Sequence, residues 1–190
     1  MSTRRFLLDD VMPRYDVNET HEIWLPVPAA EALRAARTVR SDEIRLFKPL
    51  LAIRTLPERF DPNAPKLDLS RSILDEFMDK GGFAMMEDRP DEVVLGSIGH
   101  FWKITGNKPL SRIRTTAQFQ GFDEPGYTKV AFNFAALPEG DGSRLFTETR
   151  VGSTSDDARR LFGRYWWFVS AGSSLLRRSW LKAIERRAVG

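Results

Sequence analysis

The first regular pattern in the chain runs from Glu19 to Leu25, where Ile23 and Leu25 fall on one side and Glu22 on the other, the period-two alternation of a strand. Pro26 and Pro28 close it, and Pro28 suits the first turn of a helix over residues 29–37. Ser41 is placed to cap a second helix over 41–56, with Asp42 and Glu43 at its positive end and Ile44, Phe47, Leu50 and Leu51 on one face. Pro49 should kink or split that helix, and Pro57 should stop it. Residues 60–66, with Pro62 and Pro65, form a loop; a short helix then starts at Ser70 or Ser72, carries Ile73, Leu74, Phe77 and Met78, and ends at Gly81 and Gly82.

The next seventy or so residues read as an antiparallel meander, because turn formers separate runs of strand formers at hairpin spacing. Strands are predicted over 83–87, 92–104, 127–137 and 143–151, and residues 111–119 supply a further strand or a covering segment. Ser155 caps the final helix, Asp156 and Asp157 lie in its first turn, and Ala158, Leu161, Phe162, Tyr165, Trp166 and Val169 follow at helical spacing. At Ala171-Gly172-Ser173 the helix bends or restarts, after which Leu175, Leu176, Trp180, Ala183 and Ile184 resume the period. Residues 1–18, with Pro13, are an irregular lead-in that packs Phe6, Leu7, Leu8 and Val11 on the body. Strands that run together with helices at both ends give an α+β fold rather than alternating α/β.

Composition narrows the class. A chain of 190 residues, 42% hydrophobic, is long enough for one buried core and short for two, so residues 1–190 are expected to form a single domain. The absence of cysteine excludes disulfides, thiolate metal sites and a cysteine nucleophile. Arg4 and Arg5 resemble the start of a twin-arginine signal, but Asp9 and Asp10 end the apolar stretch after Phe6, Leu7 and Leu8. No run approaches the roughly 20 apolar residues of a membrane span, and a cytoplasmic protein is expected. The formal net charge is +3, yet the last segment gathers Arg159, Arg160, Arg164, Arg177, Arg178, Lys182, Arg186 and Arg187 against Asp156, Asp157 and Glu185. Such a helix can meet anionic lipid or phosphate, but more often it is simply the solvated face of an amphipathic helix.

The order of strand, two helices, meander and long terminal helix is similar to the helix-grip fold of the SRPBCC superfamily, which includes START lipid-transfer domains, plant pathogenesis-related allergens and polyketide cyclases. Within it the chain resembles a group of uncharacterised bacterial proteins through MPRYDVNETHEI, GSIGHFWK, FDEPGYTKVAFNF, RLFTETRV and GRYWWFVSAGSSLLRRSWLKAIERR. That resemblance implies a curved antiparallel sheet around the long C-terminal helix and a cavity between them, in a superfamily without a universal catalytic motif.

Candidate chemistry is sparse. His21 and His100 are the only histidines, and no nucleophile elbow, phosphate-cradling glycine loop or HExxH motif is present, so no metal or cofactor is expected. His100 is placed with Val94, Ile98, Trp102 and Ile104 on one face of the long strand. Glu148 and Arg150 share a strand face and should pair to order the sheet, or else hold the head of a ligand; Asn133 falls opposite Val130, Phe132 and Phe134. The concave lining is expected from Phe83, Met85, Leu95, Phe101, Phe132 and Phe134 on the sheet and from Phe162, Tyr165, Trp166 and Val169 on the helix. Trp166 and Trp167 are about 100° apart on a helix, so one of them belongs at the surface or in a contact between two copies of the chain.

Three functions follow. The first is a binding or carrier protein for an apolar small molecule such as a lipid or polyketide, with a cavity of roughly a few hundred Å³. The second is a cyclase- or dehydratase-type enzyme using His100, Tyr165 or Glu148 as acid or base, marked by at least two titratable groups converging in the pocket. The third is association of the basic terminal helix with an anionic membrane surface; no nucleic-acid motif is present.

Overall fold

The computed structural model describes residues 5–47, 68–103, 109–110 and 112–190. Its centre is a five-stranded antiparallel sheet in the order β1-β5-β4-β3-β2, with β1 Val17–Leu25, β2 Ala84–Asp88, β3 Glu92–Gly99, β4 Thr128–Glu139 and β5 Gly142–Ser153. The helices are α1 Leu7–Val11, α2 Ala29–Thr38, α3 Ile73–Asp79, α4 Thr116–Gly121 and α5 Asp156–Val189. This is an α+β helix-grip architecture: the long terminal helix lies across one face of the sheet, on the side that α2 and α3 also cover.

Alternation along the strands divides the sheet cleanly. One continuous row, Glu19-Thr149-Phe132-Leu95-Met85, crosses all five strands on the face turned toward α5. The floor of that concave face is filled by Val93, Leu95, Phe132, Phe134 and Leu145, against Trp180, Leu181, Ala183 and Ile184 of α5 and Ala32, Leu33 and Ala36 of α2. Trp180 is 1% exposed and meets Phe77, Phe132 and Phe134 at ring separations of 5.9, 6.1 and 5.0 Å.

The opposite, convex face is covered too, by α1, α4 and the residues before β4. Leu8, Val11 and Met12 pack there with Met86, Val94, Ile98, Ile113, Phe119, Phe122 and Ala131. The lead-in thus packs Leu8 and Val11 on the body as the sequence leads one to expect, through a short helix instead of an irregular segment. Two polar clamps hold it. The Glu92 carboxylate accepts from the Leu7 and Leu8 amides at 2.7 and 3.2 Å and from Asn133 Nδ2 at 2.7 Å. Arg150 donates to Asp9 at 2.6 Å, to Glu148 at 2.8 Å and to the Met12 carbonyl at 3.0 Å. Asn133 does lie opposite Phe132 and Phe134, and Glu148 and Arg150 do pair.

The sheet's last hairpin turns at Gly140, whose φ of +62° is a conformation that glycine adopts without a side-chain clash. Of the two readings for residues 111–119 the covering segment holds: residues 116–121 are helical, because Thr115 accepts from the Gln118 amide as an N-cap, and Ile113 and Phe119 pack into the convex cluster. Three expectations are corrected. Strand β3 ends at Gly99, so His100, Phe101 and Trp102 sit beyond it and not on a strand face; the expected end at Ile104 lies outside the described residues. The segment from Ser41 makes only a 3-10 turn through Glu43, since the amides of Ser41 and Asp42 donate to Arg71 and Leu69 across the chain; its continuation past Phe47, and the loop over 60–66, lie outside the described residues. Helix α5 runs unbroken through Ala171, Gly172 and Ser173. A helix-interior glycine costs about 1 kcal/mol, which burial of Trp180, Leu181 and Ile184 outweighs.

Candidate functional site

Strand β1 contributes Glu19, His21, Ile23 and Leu25 to the concave face, and its register sets Glu19 beside Thr149 and His21 beside Thr147 of β5. Helix α5 passes over this corner with Ser173, Ser174 and Arg177. Ser173 Oγ donates to Glu19 at 2.9 Å, the other Glu19 oxygen is 2.7 Å from His21 Nε2, and Ser174 Oγ is 3.5 Å from the same imidazole nitrogen. Arg177 Nη2 donates to Thr149 Oγ1 at 2.6 Å, while the guanidinium carbon stands 4.7 Å from the Phe132 ring and 5.1 Å from the Trp180 ring. A polar corner is thereby built into an otherwise apolar face.

Arg177 is the unusual group. Burial brings its pKa down to about 10, against the opposing influence of Glu19. It has no ion-pair partner among the described residues, and its Nη1 is enclosed without a hydrogen bond. Thr147 Oγ1 and Trp180 Nε1 are enclosed and unpartnered as well. Three orphaned polar atoms in one region, one of them on a cation, are costly in a folded protein.

The two halves of α5 meet the sheet differently. Its C-terminal half is packed down on the floor around Trp180. In its N-terminal half Ala158 and Phe162 are buried, but the inward side chains Tyr165, Trp166, Val169 and Ser173 are only half-buried, and so are Val17, Glu19 and Val130 on the inner face of the sheet, Phe83 just before β2 and Phe101 in the turn after β3. Side chains that point inward yet keep contact with solvent leave partly open apolar surface here, beside the polar Glu19–Arg177 corner. Phe83, Met85, Phe101, Tyr165, Trp166 and Val169 are half-buried, whereas Leu95, Phe132, Phe134 and Phe162 are buried. Two surface hollows lie elsewhere: one of about 460 Å³ beside Phe122 and Arg112, the other of about 330 Å³ between Arg34 and Arg187. Both are shallow, and neither contains an enclosed polar atom from the orphaned set.

The three residues singled out as acids or bases are not brought together. Glu148 is on the convex face with Arg150, Tyr165 is on α5, and His100 packs in its turn against the rings of Tyr127 and Trp102, 4.4 and 5.4 Å away. Burial, assisted by Lys103, lowers the His100 pKa. The titratable groups that do converge are Glu19 and His21. Sequence reasoning passed over these two and Arg177, though Ile23 and Leu25 already marked the inward side of β1 and therefore of Glu19 and His21, and Arg177 follows Ser173 by one turn and precedes Trp180 by three residues.

No protein-family profile and no curated protein sequence matches the chain. Among solved structures it is similar to the Mll3558 protein from Rhizobium loti, at 14% identity over 90% of this chain and 96% of that one, with a TM-score of 0.40. Similar values hold for TTHA0849 from Thermus thermophilus, with 14% identity, 91% and 97% coverage and a TM-score of 0.32. For Ara h 8.0201 they are 15%, 91% and 97%, with a TM-score of 0.34. The fold assignment rests on the strand order and the position of α5, not on these likenesses.

Proposed function

We propose that residues 1–190 form one SRPBCC-like domain that binds an apolar small molecule in the groove between the concave face and the N-terminal half of α5. The supporting observation is the set of inward-facing aromatic and aliphatic side chains, Phe83, Phe101, Val130, Tyr165, Trp166 and Val169, that remain half-buried. Apolar surface of this kind gains roughly 25 cal/mol per Å² when a ligand covers it. Native mass spectrometry of the purified protein followed by organic extraction tests the reading. A retained apolar mass that is lost on Val169→Asp supports it; a bare protein mass that apolar additives leave unchanged overturns it.

A second reading concerns the outer side of α5. Trp167 and Phe168 are 77% and 76% exposed, Leu161 and Leu175 are also exposed, and Arg164 and Arg178 lie on the same side with no carboxylate partner among the described residues. Aromatic and leucine side chains flanked by unpaired arginines match an anionic lipid surface. No helix among the described residues is long and apolar enough to cross a membrane. Sedimentation with phosphatidylserine-containing vesicles, lost with phosphatidylcholine alone, at high salt or in Trp167→Ser/Phe168→Ser, supports docking. Self-association that the same double substitution abolishes, without vesicle binding, assigns the face to a second copy instead.

A further inference from the structure

The Arg177 corner specifies the chemistry of the ligand. We propose, on the basis of the concave-groove reading above, that the bound molecule carries a carboxylate head group that pairs with Arg177 while its apolar body runs along Val130, Tyr165, Trp166 and Val169. Phe132 and Trp180 lie against the guanidinium, so what it offers a partner is its edge. An arginine has five N–H donors; one is used on Thr149, and Nη1 is enclosed with nothing to donate to. A planar carboxylate accepts two parallel bonds from such an edge. Glu19 does not fill this role, because its two oxygens are engaged by Ser173 and His21. No lysine or second arginine joins the corner among the described residues, which favours a singly charged carboxylate over a doubly charged phosphate monoester.

A guanidinium held among aromatic rings without a contacting ion-pair partner is a burden on the fold. Its natural replacement by packing alone is a methionine of similar length. Arg177→Met therefore leaves the melting temperature unchanged or raises it, whereas an arginine that serves the fold would lower it when removed.

The test uses dodecanoate and 1-dodecanol, two molecules with the same chain and different heads, titrated calorimetrically into the full chain, with acetate as the head alone. Dodecanoate is expected to bind about tenfold or more tightly than dodecanol, acetate to bind weakly, and Arg177→Met to abolish the preference while leaving dodecanol binding intact. Thr149→Val, which removes the hydroxyl that holds Nη2, gives a smaller loss of the same preference. Equal binding of the two probes to the native chain, or an equal loss of both in Arg177→Met, overturns the carboxylate assignment and leaves the groove standing. Binding of neither overturns the groove reading and this inference with it.

Discussion

Glu92 and Asp9 both hold the lead-in against the sheet but respond to acid in opposite senses. Burial raises the Glu92 pKa, although bonds from Asn133 and the Leu7 and Leu8 amides oppose the shift. For Asp9, burial works upward but is overcome by Arg150 and the Phe6 amide, and the net shift is downward. The raised group contributes stability that is complete below the ordinary carboxylate pKa and is lost as pH rises through the folded value; the lowered group contributes stability present above 3.8 and lost as pH falls through its folded value. Urea unfolding from pH 7 to about pH 3 should therefore show the advantage of the native chain over Glu92→Gln widening in acid and its advantage over Asp9→Asn shrinking. At neutral pH Glu92→Gln is expected to cost about 1–3 kcal/mol, because its NH2 would face the amide donors that the carboxylate now satisfies. Faster hydrogen exchange at Leu7 and Leu8 in that variant would confirm the site of the loss.

Helix α5 is one element with two environments, and its period is the same in both. Trp180, on the gripped half, should cost about 3–5 kcal/mol when replaced by alanine, read as a drop in the urea midpoint. Gly163, on the N-terminal half, has open space where a side chain would be. Gly163→Ala should stabilise the chain by about 0.5–1 kcal/mol, a rise in melting temperature that a sealed position would not give. The apolar spacing of Ala158, Leu161, Phe162, Tyr165, Trp166 and Val169 announced the helix, and Ser155 its start, but spacing alone left a bend or a restart at 171–173 open, and the helix does not restart there. Residues 111–119 left a strand and a covering segment both open, and the structure makes them the latter. Their short mixed pattern fits a strand until the Thr115 cap and the convex cluster are known.

At the scale of the molecule, the sheet is a partition between two cores, the concave one under α5 and the convex one under the lead-in. Deleting the residues through Met12 should expose Val94, Ile98 and Ala131 on the convex face, lowering the melting temperature and raising binding of a dye specific for apolar surface, while the groove residues keep their places. Local period determined much from the sequence alone: the strand order along the chain, the inward side of β1 and β4, the position of Asn133 opposite Phe132 and Phe134, the pairing of Glu148 with Arg150, and the amphipathic terminal helix. These depend on neighbours two, three or four residues away, and such neighbours are written in the chain. The tertiary structure alone decided that α5 packs tightly around Trp180 but leaves Tyr165, Trp166 and Val169 half-buried, that the lead-in covers the convex face, and that Arg177 lies beside Thr149 and near Glu19. Each of those depends on which distant residues meet, and a repeat of two or 3.6 residues fixes the side a residue faces without fixing what stands opposite it.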